Sequence, residues 1–125
     1  MFKILFIIGT GSFLGGILRY LISRFIQNSI ISAFPYGTFV VNILGCFLIG
    51  LFYGISERSN IMSAEWRMFL TVGFCGGFTT FSTFANENLV LLRDGNIFNF
   101  AIYAGLSVFI GILATYSGNL ITKLF

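Results

Sequence analysis

Histidine is absent from this chain, and charge is scarce: seven Lys or Arg and four Asp or Glu in 125 residues, or 9%. Without histidine the commonest acid–base group and metal ligand is missing. No nucleophile–base pair or metal set can be assembled from what remains, so an enzyme is not expected. Soluble domains carry roughly 25% charged residues, so a soluble fold is not expected either. The net charge of +3 is spread thinly, with no basic cluster to recruit a nucleic-acid partner. The two cysteines, Cys46 and Cys75, lie in apolar segments without CxxC spacing and read as reduced packing residues. Lys3 and the apolar run behind it lack a small-x-small cleavage site, and Arg19 and Arg24 follow. That run reads as a retained first span, not a signal peptide.

What is present is apolar: 57% of residues are hydrophobic. The chain is too short for two ordinary domains, so residues 1–125 are expected to form one membrane unit. Four hydrophobic runs divide at charge and turn clusters: about Ile4 to Ser23, Gly37 to Ile55, Trp66 to Leu92 and Ile97 to Thr122. The connectors are Arg24 to Tyr36, Ser56 to Asn60 and Arg93 to Asn96, and Lys123 closes the last run. Each run reaches the ~20 residues a bilayer-spanning helix needs. The expected fold is all-α, with four transmembrane helices.

Four spans place both termini on one side, together with Lys3, Arg58, Arg67 and Lys123. The other side holds Arg24 and Arg93, with Arg19 near the end of the first span. The resulting positive-inside bias is slight. It fits insertion in both orientations, with two copies pairing antiparallel, and equally a single orientation with weak signals. Gly11 and Gly15, Gly50 and Gly54, and Gly73 and Gly77 form small-xxx-small pairs that allow close helix packing.

The third run is unusual. Its middle, Gly73-Phe-Cys-Gly-Gly-Phe-Thr-Thr-Phe-Ser-Thr-Phe84, combines Gly76-Gly77 with the hydroxyls of Thr79, Thr80, Ser82 and Thr83. Glycine loosens a helix, and hydroxyls offer the backbone other partners. Irregular backbone at membrane depth persists only inside protein or along a wet cavity. The segment therefore reads as a helix broken near its middle, marking an ion or substrate site; the alternative is a glycine seam between helices. Carbonyls ending the first half would suit a cation, and free N–H groups opening the second an anion.

Other polar residues sit at depth. Asn42 shares a helix face with Gly45 and Ile49, and must find partners or line a polar path. Tyr103 and Ser107 share a face of the fourth span at i, i+4. Phe81 and Phe84 project together just after the break, either as ordinary packing or as ring edges able to face a small anion. Arg19 can snorkel to the interface or attract anions to a pore mouth. Glu87 can pair with an arginine or cap a polar path.

Four motifs, one in each span, resemble the Fluc (CrcB) fluoride channel family. They are Gly11-x-x-x-Gly15-Gly-x-x-Arg19-Tyr20, Gly37-Thr-Phe-Val-Val-Asn42-x-x-Gly45, the Gly73–Phe84 run, and Tyr103-x-x-x-Ser107. The third is highly specific. The resemblance implies an antiparallel, dual-topology homodimer in the bacterial inner membrane, with two pores that passively export fluoride and confer resistance to it. It implies a fluoride path of Asn42, Thr80, Phe81, Ser82, Phe84, Tyr103 and Ser107. It also implies a structural sodium ion held by backbone carbonyls of Gly76 and Thr79 from both copies. Small proton-coupled exporters also have four helices, but they use an acidic residue in the first span, and here the first acidic residue is Glu57 in a connector. A non-transporting assembly subunit would explain the glycines and leave Asn42 without a role.

Overall fold

The computed structural model describes residues 1–58 and 61–124, and the described residues form helices and turns with no strand. Helix α1 spans Phe2–Ser29, α2 Tyr36–Arg58 and α6 Ile97–Thr122. Between α2 and α6 lie α3 (Ala64–Met68), a wider π-helical stretch (Phe69–Cys75), the single turn α4 (Gly76–Phe78) and α5 (Phe81–Arg93). Four helical runs are long and apolar enough to cross a membrane: Phe2–Ser29, Tyr36–Arg58, Ala64–Arg93 and Ile97–Thr122. This is a multi-pass membrane protein. The expected Ser56–Asn60 connector lies partly outside the described residues, at 59 and 60.

The boundaries have local causes. Helix α1 runs past the apolar segment to Ser29, through residues expected in a connector, because Gln27 gives its polar end a partner. The Gln27 Oε1 accepts the Gly37 N–H at 3.1 Å, and its Nε2 donates to the Ser32 and Phe34 carbonyls, each at 3.4 Å. One side chain thus ties the end of α1 to the start of α2. Ser63 caps α3 by accepting the Trp66 N–H at 3.2 Å. Between α5 and α6 the chain reverses at Gly95, whose φ of +78° lies in the left-handed region.

Two backbone seams hold the bundle. In the first, α1 meets the third span: a Cβ on Gly11 would stand 2.7 Å from the Phe69 carbonyl, and one on Gly77 2.6 Å from the Ser12 carbonyl. Gly15 and Gly73 lie in the same seam. In the second, α2 packs on α6, Gly50 and Gly54 meeting Thr115 and Thr122, and Gly118 meeting Phe47. Close approach of this kind is what associates helices where no hydrophobic effect operates between them. The pairing Lys3–Glu65 (3.5 Å) and the bond from Arg58 to the Thr122 carbonyl put the starts of α1 and α3 together, and the C-terminal ends of α2 and α6 together.

A small core forms where Phe34, from the α1–α2 connector, folds against Leu91 and Tyr103. Most other large apolar side chains on α1 and α6 are exposed, Phe6 and Phe109 among them. A bilayer accepts such a surface.

Candidate functional site

The glycines and hydroxyls of the third run do different jobs. Gly76 is helical, with φ −61° and ψ −38°. The extended residues are Thr79 (φ −92°, ψ 158°) and Thr80 (φ −151°, ψ 125°), both β-branched and suited to that region. Upstream, the π-helical winding shows in the Gly76 N–H, which reaches back to the Thr71 carbonyl. Downstream, Thr80 caps α5 by accepting the Thr83 N–H on Oγ1 at 3.2 Å. The glycine seam, ending at Gly77, and the extended pair, starting at Thr79, therefore coexist two residues apart, the first packing α1 and the second turning toward α2.

Across from the extended pair stands Asn42. Its Oδ1 accepts the Thr80 N–H at 2.8 Å, and its Nδ2 donates to the Thr80 carbonyl at 3.0 Å. The N–H and carbonyl of Thr80, in extended backbone, thereby both find a partner. One Nδ2 hydrogen remains beyond the one given to Thr80. The Thr80 amide would otherwise close a helical turn onto the Gly76 carbonyl, and the Thr83 amide one onto Thr79. Both are drawn elsewhere, to Asn42 and to the Thr80 hydroxyl.

Beside this clasp lies an open cavity of about 360 Å³, walled by Asn42, Thr79, Thr80, Phe81, Phe84 and Ser107, with Gly76 at its edge. No Lys, Arg, Asp or Glu lines it. The Phe81 and Phe84 rings lie 5.7 Å apart between centroids, inclined at 46°. The Ser107 hydroxyl is buried with no partner among the described residues, a state that ordinarily demands an explanation. The Phe81 ring is 78% exposed. The wall sets the neutral polar groups of Asn42, Thr79, Thr80 and Ser107 beside the Phe81 and Phe84 rings, with apolar Ile49 and Val108 completing it.

Tyr103, Glu87 and Ser82 stand off the wall. Tyr103 is fully buried behind Phe84, ring centroids 5.0 Å apart. Its hydroxyl donates to Glu87 Oε1 at 2.9 Å, and the Thr38 hydroxyl donates to Oε2 at 3.0 Å. Both carboxyl oxygens of Glu87 are thus engaged by neutral hydroxyls. Ser82 is exposed, its hydroxyl 3.4 Å from that of Thr80. Arg19 turns to the third span, where its Nε donates to the Gly77 carbonyl at 3.2 Å. Arg19 and Glu87 do not pair. Thr38 was not singled out from the sequence, although it lies i, i−4 from Asn42 and so shares its face.

Fold and site together define a multi-pass helical membrane protein with a cavity between its spans that no charged side chain lines. Residues 6–119 match the family model described as CrcB-like protein, Camphor Resistance (CrcB). The chain belongs to this family. Curated relatives carry the name fluoride-specific ion channel FluC. That of Flavobacterium psychrophilum is 48% identical over 97% of this chain and 98% of its own length. That of Bacteroides fragilis is 48% identical over 92% of each, and that of Azobacteroides pseudotrichonymphae 39% identical over the whole of both.

Proposed function

We propose that this chain is a fluoride-selective passive ion channel of a bacterial inner membrane that lets fluoride leave the cytoplasm and so confers resistance to it. The observation that carries the proposal is the cavity wall: Asn42, Thr80 and Ser107 present neutral donors beside the Phe81 and Phe84 ring edges, with no charged side chain. Fluoride holds its water tightly, so a path must offer several donors in its place. A fixed cation would hold the ion too long; neutral donors in sequence give sites weak enough to leave. The free Nδ2 hydrogen of Asn42 and the unpartnered Ser107 hydroxyl are the donors available for this. Ring edges carry the positive end of the aromatic quadrupole and complete the lining. Tyr103 and Glu87 extend the polar track behind Phe84, and Ser82 and Thr80 face its opening.

The exposed Phe81 ring and the open cavity favour completion of each path by a second copy, in an antiparallel dual-topology homodimer with two pores. The segment about Thr79 and Thr80 is read as a discontinuity in the third span, at the centre of that dimer. A sodium ion fits there on one observation: the Gly76 carbonyl lacks the Thr80 amide, on an exposed edge where a Cβ would meet nothing nearer than 3.9 Å. Carbonyl oxygen suits a hard cation. Gly76 and Thr79, from each copy, would hold the ion, which would fix the two chains together without taking part in conduction.

The test is anion efflux from liposomes holding the purified protein under an imposed potential. Rapid fluoride release with negligible chloride release is expected. Slow release driven by a proton gradient would instead indicate a coupled exporter acting through Glu87. No flux from folded protein would leave a non-transporting assembly subunit.

A further inference from the structure

Two thiols share the wall of the same cavity. Asn42 and Cys46 lie one turn apart on α2, and Thr79 and Cys75 lie one turn apart in the third span. Asn42 bonds to Thr80, and Gly45 meets the Thr79 methyl. The next turn of each row carries a cysteine, Cys46 on α2 and Cys75 in the third span. Both line the cavity, and both are free thiols. From the far side α6 closes on Cys46, whose Sγ stands 3.5 Å from where a Cβ on Gly111 would lie. Cys75 is 1% exposed and lines the cavity, while Cys46 is half-buried.

We propose that Cys46 and Cys75 form a two-thiol site for a soft, two-coordinate metal ion, and that its occupation closes the cavity to fluoride. Thiolate sulfur selects soft ions, and no group of three or more His, Cys, Asp or Glu stands together among the described residues. Zinc, which takes four ligands, is not served by the pair. Mercury(II) chloride is the probe, because it is neutral, enters membranes and binds two thiolates in line. One HgCl₂ and two R–SH give R–S–Hg–S–R, two protons and two chloride ions; two Hg–S bonds replace two Hg–Cl bonds and no electron is transferred. Ligation requires loss of both thiol protons, so binding strengthens as pH rises. Closure of the path rests on the fluoride reading; retention of the metal does not.

The experiment treats full-length protein in liposomes with stoichiometric HgCl₂, washes with excess glutathione, and measures retained mercury by elemental analysis and fluoride efflux in parallel. Expected are one mercury per wild-type chain surviving the wash, and loss of efflux to the level of protein-free liposomes. Cys46→Ala and Cys75→Ala are each expected to surrender the metal to glutathione, because a single thiolate competes poorly with a free thiol, and to show the same efflux with and without mercury treatment. Serine replacements at both positions are read alongside, and if Cys75 variants do not fold, the Cys46 pair decides. No retention by wild type, or equal retention by either single variant, overturns the site. Retained mercury with undiminished efflux overturns its place on the path. Retained mercury in a protein that never conducts fluoride supports the site and overturns the channel reading.

Discussion

Asn42 and Thr80 hold each other through both ends of one amide, Oδ1 accepting the Thr80 N–H at 2.8 Å and Nδ2 donating to its carbonyl at 3.0 Å. The pair joins α2 to the extended backbone of Thr79 and Thr80 in the third span. It leaves one Nδ2 hydrogen of Asn42 unused. Positioning of the backbone is thus one function of this side chain, and on the proposed channel reading presentation of a donor is a second.

Replacing Asn42 by Leu removes both bonds and leaves the Thr80 N–H unpaired, at a cost of about 1–3 kcal/mol. The expected result is destabilisation of that size, read by thermal unfolding in detergent, with fluoride efflux at background. Asn42→Asp keeps the acceptor for the Thr80 N–H and loses the donor, so it should fold better than the leucine variant and conduct no better. Full efflux from Asn42→Leu would remove Asn42 from the path.

Ser107 separates function from packing. Its buried hydroxyl has no partner among the described residues, so Ser107→Ala deletes an unsatisfied group and should leave stability unchanged or raise it by up to about 1–3 kcal/mol. Efflux should nonetheless fall. A variant that is equally stable and equally conductive would show that Ser107 contributes nothing to permeation.

Thr38 and Tyr103 converge on the two oxygens of Glu87. Thr38→Val and Tyr103→Phe each remove one donor while nearly preserving shape. Because both act on one carboxyl group, their effects should be non-additive, with a coupling of about 0.5–3 kcal/mol in a double-mutant cycle. Additive losses would mean that the three side chains do not act as a unit.

The glycine seam predicts a contrast within one helix. A Cβ on Gly11 would stand 2.7 Å from the Phe69 carbonyl and 2.8 Å from the Phe74 nitrogen, both backbone atoms, whereas one on Gly9 meets nothing within 4 Å. Gly11→Ala should cost about 1–3 kcal/mol through forced separation of α1 from the third span. Gly9→Ala should be neutral or gain up to about 1 kcal/mol of helix propensity. Equal stabilities by thermal unfolding would place the seam elsewhere.

Residue-local properties decided the four spans, because the free energy of placing a helix in a bilayer is close to a sum over its own side chains. The small-xxx-small glycines and the polar residues Asn42 and Ser107 were legible for the same reason: each is anomalous at its depth whatever its neighbours are. Partners were not legible. Which glycine meets which helix, that the extended residues are Thr79 and Thr80 and not Gly76 and Gly77, and that Glu87 is shared by Thr38 and Tyr103 and not paired with Arg19 all depend on what stands opposite. The extent of α1 depended on Gln27 finding the start of α2 ten residues on. Cys46 and Cys75, read from spacing as reduced packing residues, are both free and line one cavity because α2 crosses the third span there. In a medium without water to satisfy them, polar groups take the nearest protein partner, and tertiary structure alone sets which one that is.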